Sequence, residues 1–337
     1  MESSENDLNG IAFQYKGNRH TWHALTEDWR YTGPIFDAHT HIGNPENIDQ
    51  MVNIEDEFGI AAQLAIVHTK EGFIAARENY PRRFVFAKYL SLNDIAHFEV
   101  DKVVDEINKT REQGFSLTKM WFGPRWLDYY EDVPSDFRID DVRLQPVFEA
   151  LEAAELPLLL HVGDPDTYYE LHYQDSAKYG TKDDDLATLE RIIERHPRLL
   201  FQLPHFGSQP EIHRLSNLSR WLDNYPNIII DTASSRWMAR ELSKDVDIAR
   251  SFLMKYSNRI LFGTDLSTGR GDREYFRARY FAQRYLWETN VQGMPLPFED
   301  VDTKDSGGTF INGLNLPLSA LRKLYWENAN RIYDLSS

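Results

Sequence analysis

Short apolar runs alternate with amphipathic segments along this chain from residue 34 onward. Apolar runs separated by helical patterns indicate parallel strands that are covered on both faces. Eight runs have this character: Ile35–Ala38, Gln63–Val67, Phe84–Leu90, Phe115–Thr118, Pro157–Leu160, Leu199–Leu203, Ile228–Ile230 and Ile260–Phe262. The helical patterns between them include Val100–Gln113, Val142–Glu155, Leu186–Arg195 and Met238–Tyr256.

Eight strand–helix units are the number that closes a barrel. We therefore predict an α/β fold, a (β/α)8 TIM barrel over residues 34–337, with residues 1–33 as an N-terminal extension that packs on it. An open doubly wound sheet alternates in the same way, but the glycine-rich phosphate-binding motifs of such sheets do not occur here. Three long βα loops are expected on the C-terminal face, where barrel enzymes build their sites: Trp121–Asp140, Asp164–Asp185 and Leu266–Asn315, the last with a helix near Arg273–Trp287.

Composition narrows the chemistry. The chain has no cysteine, which excludes disulfides, thiolate metal sites and cysteine nucleophiles. Its formal net charge of −16 argues against nucleic acid and anionic membranes as partners. The acidic, polar N-terminus does not resemble a signal peptide, and no uncharged apolar run approaches the ~18 residues of a spanning helix. We expect a cytoplasmic protein that acts on a small molecule, and a homodimer as its assembly.

Histidines and an aspartate stand where several predicted strands end. His39 and His41 are two residues apart in PIFDAHTHIG, so both side chains lie on the same side of a strand. His161 closes PLLLH, His205 closes LLFQLPH, and Asp265 follows RILFGT. Buried polar groups at one rim of a barrel need partners, and a shared cation supplies them. The set predicts a metal site.

These motifs resemble the amidohydrolase superfamily, and most of all its amidohydrolase-related branch, which includes aminocarboxymuconate-semialdehyde-decarboxylase-like enzymes. The resemblance runs from residue 34 to the end of the chain. It rests on D-A-H-x-H at Asp37–His41, on the two later strand-end histidines, on G-T-D at Gly263–Asp265 and on LNLPLSALRKLYWENANRIY at 314–333, which resembles the closing helix of that branch.

The resemblance implies a ligand set: His39, His41, His161 and Asp265. It implies that His205 is a further ligand if two metals bind, or a catalytic and substrate-orienting residue if one metal binds. We expect one divalent ion, with zinc preferred and manganese or iron as alternatives, because imidazole and carboxylate accept several metals. A second metal bridged by carboxylated Lys119 is the less favoured reading, since a lysine that binds an anion is simpler.

Cationic and polar residues near the same rim indicate the substrate. Arginine binds carboxylates with paired hydrogen bonds, so Arg236 and Arg125 suggest an anionic substrate, although each alone could form a surface salt bridge. Lys119 and His68, which also end predicted strands, join them as predicted substrate-binding residues.

The favoured hypothesis is metal-dependent hydrolysis of an amide, ester or lactone. Asp265 would take a proton from the attacking water and deliver it to the leaving group, while His205 would stabilise the oxyanion. The alternative is non-oxidative decarboxylation, or hydration, of an unsaturated or aromatic carboxylic acid. A third hypothesis is a barrel that binds a ligand without catalysis. The serine-hydrolase and zincin motifs are absent.

Overall fold

The structure is a computed structural model that describes residues 12–15, 18–21, 29–130, 133–134 and 137–335. Its strands in chain order are β1 (Ala12–Tyr15), β2 (Asn18–Thr21), β3 (Ile35–Ile42), β4 (Ile60–Val67), β5 (Phe84–Tyr89), β6 (Leu117–Phe122), β7 (Leu158–Val162), β8 (Phe201–Leu203), β9 (Ile228–Asp231), β10 (Ile260–Leu261), β11 (Leu266–Ser267), β12 (Met294–Pro295) and β13 (Phe310–Ile311).

Helices connect these strands. They are α1 (Ile48–Phe58), α2 (Lys70–Asn79), α3 (Leu92–Ala96), α4 (Val100–Lys109), α5 (Gln145–Ala153), α6 (Asp166–Leu171), α7 (Ser176–Tyr179), α8 (Lys182–Arg195), the single turn α9 (Pro204–Gly207), α10 (Leu215–Asn224), α11 (Ser235–Leu242), α12 (Val246–Lys255), α13 (Arg273–Glu288), α14 (Leu318–Arg322) and α15 (Asn328–Tyr333). A π-helical turn, Lys323–Glu327, joins the last two into one closing helix.

Strands β3 to β11 form one parallel sheet in the order β10-β9-β8-β7-β6-β5-β4-β3-β11. Strands that follow one another in the chain are neighbours from β3 to β10, as expected when helical crossovers join parallel strands. The two final strands of the sheet flank residues 262–265, yet they pair with different partners: β10 with β9 and β11 with β3. The predicted α/β class with a parallel sheet is confirmed.

Both faces of the sheet are apolar. Side chains alternate along β3, so that Phe36 and Ala38 lie in one buried cluster with Leu64 and Leu159, while Ile35 lies in the larger cluster under the helices. Fully burying one such leucine or phenylalanine contributes roughly 1.5–3 kcal/mol. The two clusters therefore stabilise the sheet from both sides.

The eight predicted strands are all present, with shifted ends. The single predicted helix Met238–Tyr256 is wrong, because the chain forms α11 and α12 there. The Asp245 carboxylate accepts a hydrogen bond from the backbone N–H of Ile248 at 3.0 Å and thereby starts a new helix. The predicted helix at Arg273–Trp287 is confirmed as α13.

Much of the predicted extension, residues 1–33, lies outside the described residues. Its described end packs on the main body, since the Trp29 ring lies 6.2 Å from Phe58 and 5.6 Å from Tyr285 between centroids. In the part of the chain that the structure describes, no helix combines the length and apolarity needed to cross a bilayer.

Candidate active site

A cavity of about 260 Å³ opens where the parallel strands end. Every strand from β3 to β10, or the segment that follows it, contributes a lining residue, because parallel strands place all their carboxyl ends at one edge. The lining residues are His39, His41, His68, Tyr89, Lys119, Trp121, His161, His205, Trp237 and Asp265. Four predicted metal ligands, the catalytic candidate His205, Lys119 and His68 therefore share one cavity.

Three of these residues converge. The Nε2 atoms of His39 and His41 lie 3.5 and 3.0 Å from Oδ1 of Asp265. One ligand atom from each of the three lies within 4.8 Å of the others, which is close enough for a single ion to contact them all. Two imidazole nitrogens and one carboxylate oxygen are donors that suit a divalent transition metal.

Asp231 orients this group from behind. Its Oδ2 lies 3.1 Å from Nδ1 of His39 and accepts a second hydrogen bond from the Gln202 side chain at 2.7 Å. A carboxylate at Nδ1 keeps the proton there and leaves the Nε2 lone pair facing Asp265. Asp231 also accepts from the backbone N–H of His205 at 3.1 Å, so one buried carboxylate positions two histidines.

The charges of the site suit a cation. Burial lowers the pKa of His41 to about 4, although Asp265 opposes it, and burial lowers the pKa of His205 to about 3. Burial alone would raise the pKa of Asp265, but the hydrogen bond from His41 and the charge of His39 hold it well below its usual range. Near neutral pH the His41 and His205 imidazoles are therefore neutral, and the Asp265 carboxylate is ionised. The residues fit a divalent metal.

His161 and His205 stand beside the three converging residues, with 4.7 Å between their ring centroids. His161 donates through Nε2 to the carbonyl oxygen of Gly163 at 2.8 Å, so this nitrogen is engaged and Nδ1 is the remaining ring nitrogen. Nδ1 of His205 is buried and has no hydrogen-bond partner among the described residues. A buried nitrogen of this kind is available to a metal or a substrate.

His205 lies in a strained turn. Residues His205, Phe206, Gly207 and Ser208 all have φ between 56° and 59°, a left-handed stretch directly after β8. Non-glycine residues pay for this conformation, and such strain accumulates at functional sites. The buried Lys182 ammonium holds the turn by donating to the carbonyl oxygens of Ser208 and Asp164, which joins it to the loop after His161.

Lys119 is 2% exposed, and burial lowers its pKa to about 8. His68 lies behind His41, with 2.8 Å between Nε2 of His68 and Nδ1 of His41. Both therefore occupy positions from which they can contact a substrate or orient a ligand.

The structure places the two predicted arginines outside this cavity lining. Arg236 donates to the Tyr168 hydroxyl at 2.8 Å and pairs with Asp300 and Asp302 at 3.6 Å each. Arg125 is exposed in the 3-10 turn Pro124–Asp128, shortly after β6. Their substrate-binding roles stay predictions.

Aromatic walls are the main feature that the sequence did not single out. The Trp237 ring lies 4.8 Å from His205, the Tyr89 ring lies 5.3 Å from His68, and Trp121 lies 6.3 Å from His161. Tyr89 and Trp121 occupy strand ends, a position that could have marked them. Trp237 lies on α11. The sequence also did not single out Asp231, although it directly follows an apolar run at the end of β9, the same position that marked the histidines.

A sequence model of the amidohydrolase family matches residues 36–335 of the chain. The chain belongs to the amidohydrolase family. It is therefore a metal-dependent enzyme, and the predicted resemblance to this superfamily is confirmed. No curated protein matches the chain.

Solved structures with this fold include two amidohydrolase-like neighbours. A 5-carboxyvanillate decarboxylase from Sphingomonas paucimobilis is 14% identical with a TM-score of 0.53, covering 90% of this chain and 99% of its own. A 5-carboxyvanillate decarboxylase from Novosphingobium aromaticivorans, complexed with manganese and 4-hydroxy-3-methoxy-5-nitrobenzoic acid, is 12% identical with a TM-score of 0.51, covering 91% and 97%. At such identities the likeness concerns the fold alone.

Proposed function

We propose that this amidohydrolase removes the carboxylate from a small aromatic or unsaturated carboxylic acid. The observation that carries the proposal is the aromatic wall of Tyr89, Trp121 and Trp237 around the converging ligand atoms. Flat side chains of this kind pack against a planar conjugated substrate. The cavity of about 260 Å³ exceeds the ~150 Å³ that accommodates benzene in an engineered protein cavity. A ring with a carboxylate and small substituents therefore fits.

The similar solved structures support this choice over hydrolysis, which the sequence favoured. Both are named as decarboxylases of an aromatic acid, and one contains manganese. We propose manganese or zinc as the ion, because imidazole and carboxylate accept both. His39, His41 and Asp265 would hold it, with His161 as a fourth ligand. The ion would neutralise an anionic oxygen of the substrate and withdraw charge from it.

The protein must supply a proton. Decarboxylation breaks the bond between the substrate carbon and its carboxylate and releases CO₂. The electron pair of that bond stays on the substrate carbon, which must then be protonated. We assign Nζ of Lys119 as the donor, because it lines the cavity and its pKa of about 8 lies close to neutrality. Nδ1 of His205, which is buried and has no partner among the described residues, would contact a substrate oxygen, and the aromatic wall would exclude water from the ring.

Hydrolysis of an amide, ester or lactone is a second candidate, favoured by Asp265. This carboxylate is ionised and partly accessible to the cavity, so it can accept a proton from water and deliver it to a leaving group. His205 would then stabilise the developing oxyanion.

We also infer that the nine strands close into a (β/α)8 barrel in which β10 and β11 share one strand position. The backbone N–H of Ala38 donates to the carbonyl of Phe262 at 2.7 Å, and that of Asp265 donates to the carbonyl of His39 at 2.8 Å. These bonds continue the pairing of β3 along residues 262–265, which supports closure.

Isotope labelling separates the two reactions. Manganese-loaded protein is incubated with hydroxylated and methoxylated benzoic acids in D₂O, and with aryl esters and lactones in water enriched in heavy oxygen. We expect CO₂ release with a single deuterium on the vacated carbon. If instead heavy oxygen appears in the acid formed from an ester or lactone, and no benzoic acid is decarboxylated, the enzyme is a hydrolase. Metal-free protein and the Asp265→Asn variant serve as controls, and both should be inactive.

A further inference from the structure

Asp37 is a fully buried carboxylate that joins the two segments carrying the converging ligand atoms. Its Oδ1 accepts hydrogen bonds from the backbone N–H groups of His39 and Thr264, at 3.1 Å each. Its Oδ2 accepts a hydrogen bond from the Thr264 hydroxyl. Because Thr264 directly precedes Asp265 in the chain, one carboxylate holds the segment of His39 against the segment of Asp265.

The backbone of Asp265 needs such support. Its φ is 64°, in the left-handed region that a residue other than glycine adopts only at a cost. Strain of this kind persists only where the surrounding contacts outweigh it. The N–H of Asp265 donates to the carbonyl oxygen of His39 at 2.8 Å, and the residue before it is bonded to Asp37. The direction of the Asp265 carboxylate therefore depends on the hydrogen bonds that join its segment to β3.

Tyr280, on α13, is a further donor to Asp37. Its hydroxyl lies 3.0 Å from Oδ2 of Asp37 and 3.4 Å from the Glu55 carboxylate, so Asp37 is the nearer acceptor. The Tyr280 ring is fully buried and stacks on Phe58, with 5.7 Å between the ring centroids. Because the ring has its own packing partner, removal of the hydroxyl alone tests the contact with Asp37.

Gln283 lies three residues further along α13, on the same face of the helix. Its side-chain amide donates to the carbonyl oxygens of Thr232 and Gly263, at 2.8 and 2.9 Å. Thr232 directly follows Asp231 in the chain. Gly263 lies two positions before Asp265, so this glutamine contacts the segments that carry both carboxylates.

We propose that α13 positions the metal ligands, with Tyr280 and Gln283 as its positioning residues. Tyr280 acts through the Asp37 carboxylate, and Gln283 acts through the two backbone carbonyls. Neither side chain is among those that line the cavity. Groups that orient the ligands from behind control metal affinity as well as activity. The inference rests on the proposed metal site, but it does not depend on the proposed reaction.

Metal titrations test this role without turnover. The affinity of Tyr280→Phe for Mn²⁺ is measured by competition with a chelator, and the absorption spectrum of bound Co²⁺ reports on the geometry of the ligands. We expect the dissociation constant for Mn²⁺ to rise by about tenfold and the Co²⁺ bands to shift, because the Asp265 segment is held less firmly.

Tyr325→Phe is the matched control. Tyr325 is also fully buried, and its hydroxyl donates to another buried carboxylate, that of Glu288, at 2.9 Å. Removal of this hydroxyl should lower stability in a similar way. The affinity for Mn²⁺ and the Co²⁺ spectrum should stay those of the wild type.

Two further changes make the test independent of the tyrosine. Gln283→Met removes both amide donors and should also weaken Mn²⁺ binding and shift the Co²⁺ bands. Thr264→Val removes the hydroxyl that donates to Asp37 and should weaken binding, whereas Thr264→Ser keeps that hydroxyl and should retain wild-type affinity. These variants carry the test if Tyr280→Phe does not fold.

Two outcomes would overturn the role of α13: wild-type affinity and spectrum in both Tyr280→Phe and Gln283→Met, or an equal loss of affinity in the Tyr325→Phe control. The proposed metal site fails in a different way. If wild-type protein binds no Mn²⁺, or if Asp265→Asn binds it as tightly as the wild type, the site itself is wrong. If Asp265→Asn loses Mn²⁺ and the helix variants do not, only the role of α13 is wrong.

Discussion

Asp231 is the residue that decides which nitrogen of His39 faces the metal site. Its carboxylate can only accept, so it keeps the proton on Nδ1 of His39. In Asp231→Asn the amide can donate to Nδ1, which would move the imidazole proton to Nε2 and block the ligand atom. We expect metal affinity to fall by about tenfold to a hundredfold, measured by competition with a chelator.

The control for this change is Asp223→Asn, an exposed carboxylate that pairs with Lys255 on the helices outside the sheet. It should bind metal like the wild type. Unchanged affinity in Asp231→Asn would mean that Asp231 does not set the tautomer.

Asp185 makes stability depend on pH. Burial raises its pKa from the usual 3.8 to about 7, with the Tyr169 hydroxyl as its hydrogen-bond donor. Folding favours the protonated form of a carboxyl group whose pKa is higher in the folded chain than in the unfolded chain. This contribution to stability is complete below the unfolded pKa of about 3.8, and it is lost as the pH rises through the folded pKa of about 7. Asp185→Asn should therefore gain free energy of unfolding relative to wild type across this range, as denaturant titrations would measure. A constant difference, as expected for the exposed Asp305→Asn, would contradict this assignment.

At the scale of elements, α8 joins the two segments that carry His161 and His205. Lys182 stands in its first turn and donates to carbonyl oxygens of both segments. Lys182→Met leaves these buried carbonyls unpaired, at a cost of roughly 1–3 kcal/mol in the free energy of unfolding. Because the left-handed turn of His205 loses its support, we expect kcat to fall by about tenfold with little change in KM.

Lys255→Met, on the exposed face of α12, is the matched control and should retain wild-type kcat. If Lys182→Met loses stability but keeps the wild-type kcat and KM, this lysine has a structural role only, and the predicted effect on catalysis is wrong.

At the scale of the whole molecule, metal binding should stabilise the fold. Asp265 lies more than 200 positions after His39 and His41 in the chain, and an ion that binds all three only when the chain is folded adds to stability by mass action. Chelation should lower the thermal midpoint and abolish activity, and zinc or manganese should restore both. At a hundred times the dissociation constant the gain is about 2.7 kcal/mol. The Asp265→Asn variant should show a much smaller shift, and an equal shift would place the ion elsewhere.

Sequence patterns predicted the sheet and the lining histidines because both depend on local periodicity. His39 and His41 on one strand, and Asp265 after another, needed only the rule that parallel strands end together. The break between α11 and α12 carried a local signal, the N-cap Asp245, that the longer periodicity masked. The Arg236 pairs and the Lys182 bridge could not be predicted, because their partners lie far away in sequence and loop geometry selects them.

The pairing of β11 with β3 brings the first and the last of the converging residues in the chain next to each other. His41 and Asp265 lie 224 positions apart, and Asp265 is the last of the converging residues to leave the ribosome. A nascent chain that ends before residue 265 carries histidines without their carboxylate, so it lacks the complete ion site. The complete set of converging ligand atoms therefore exists only after synthesis has passed Asp265.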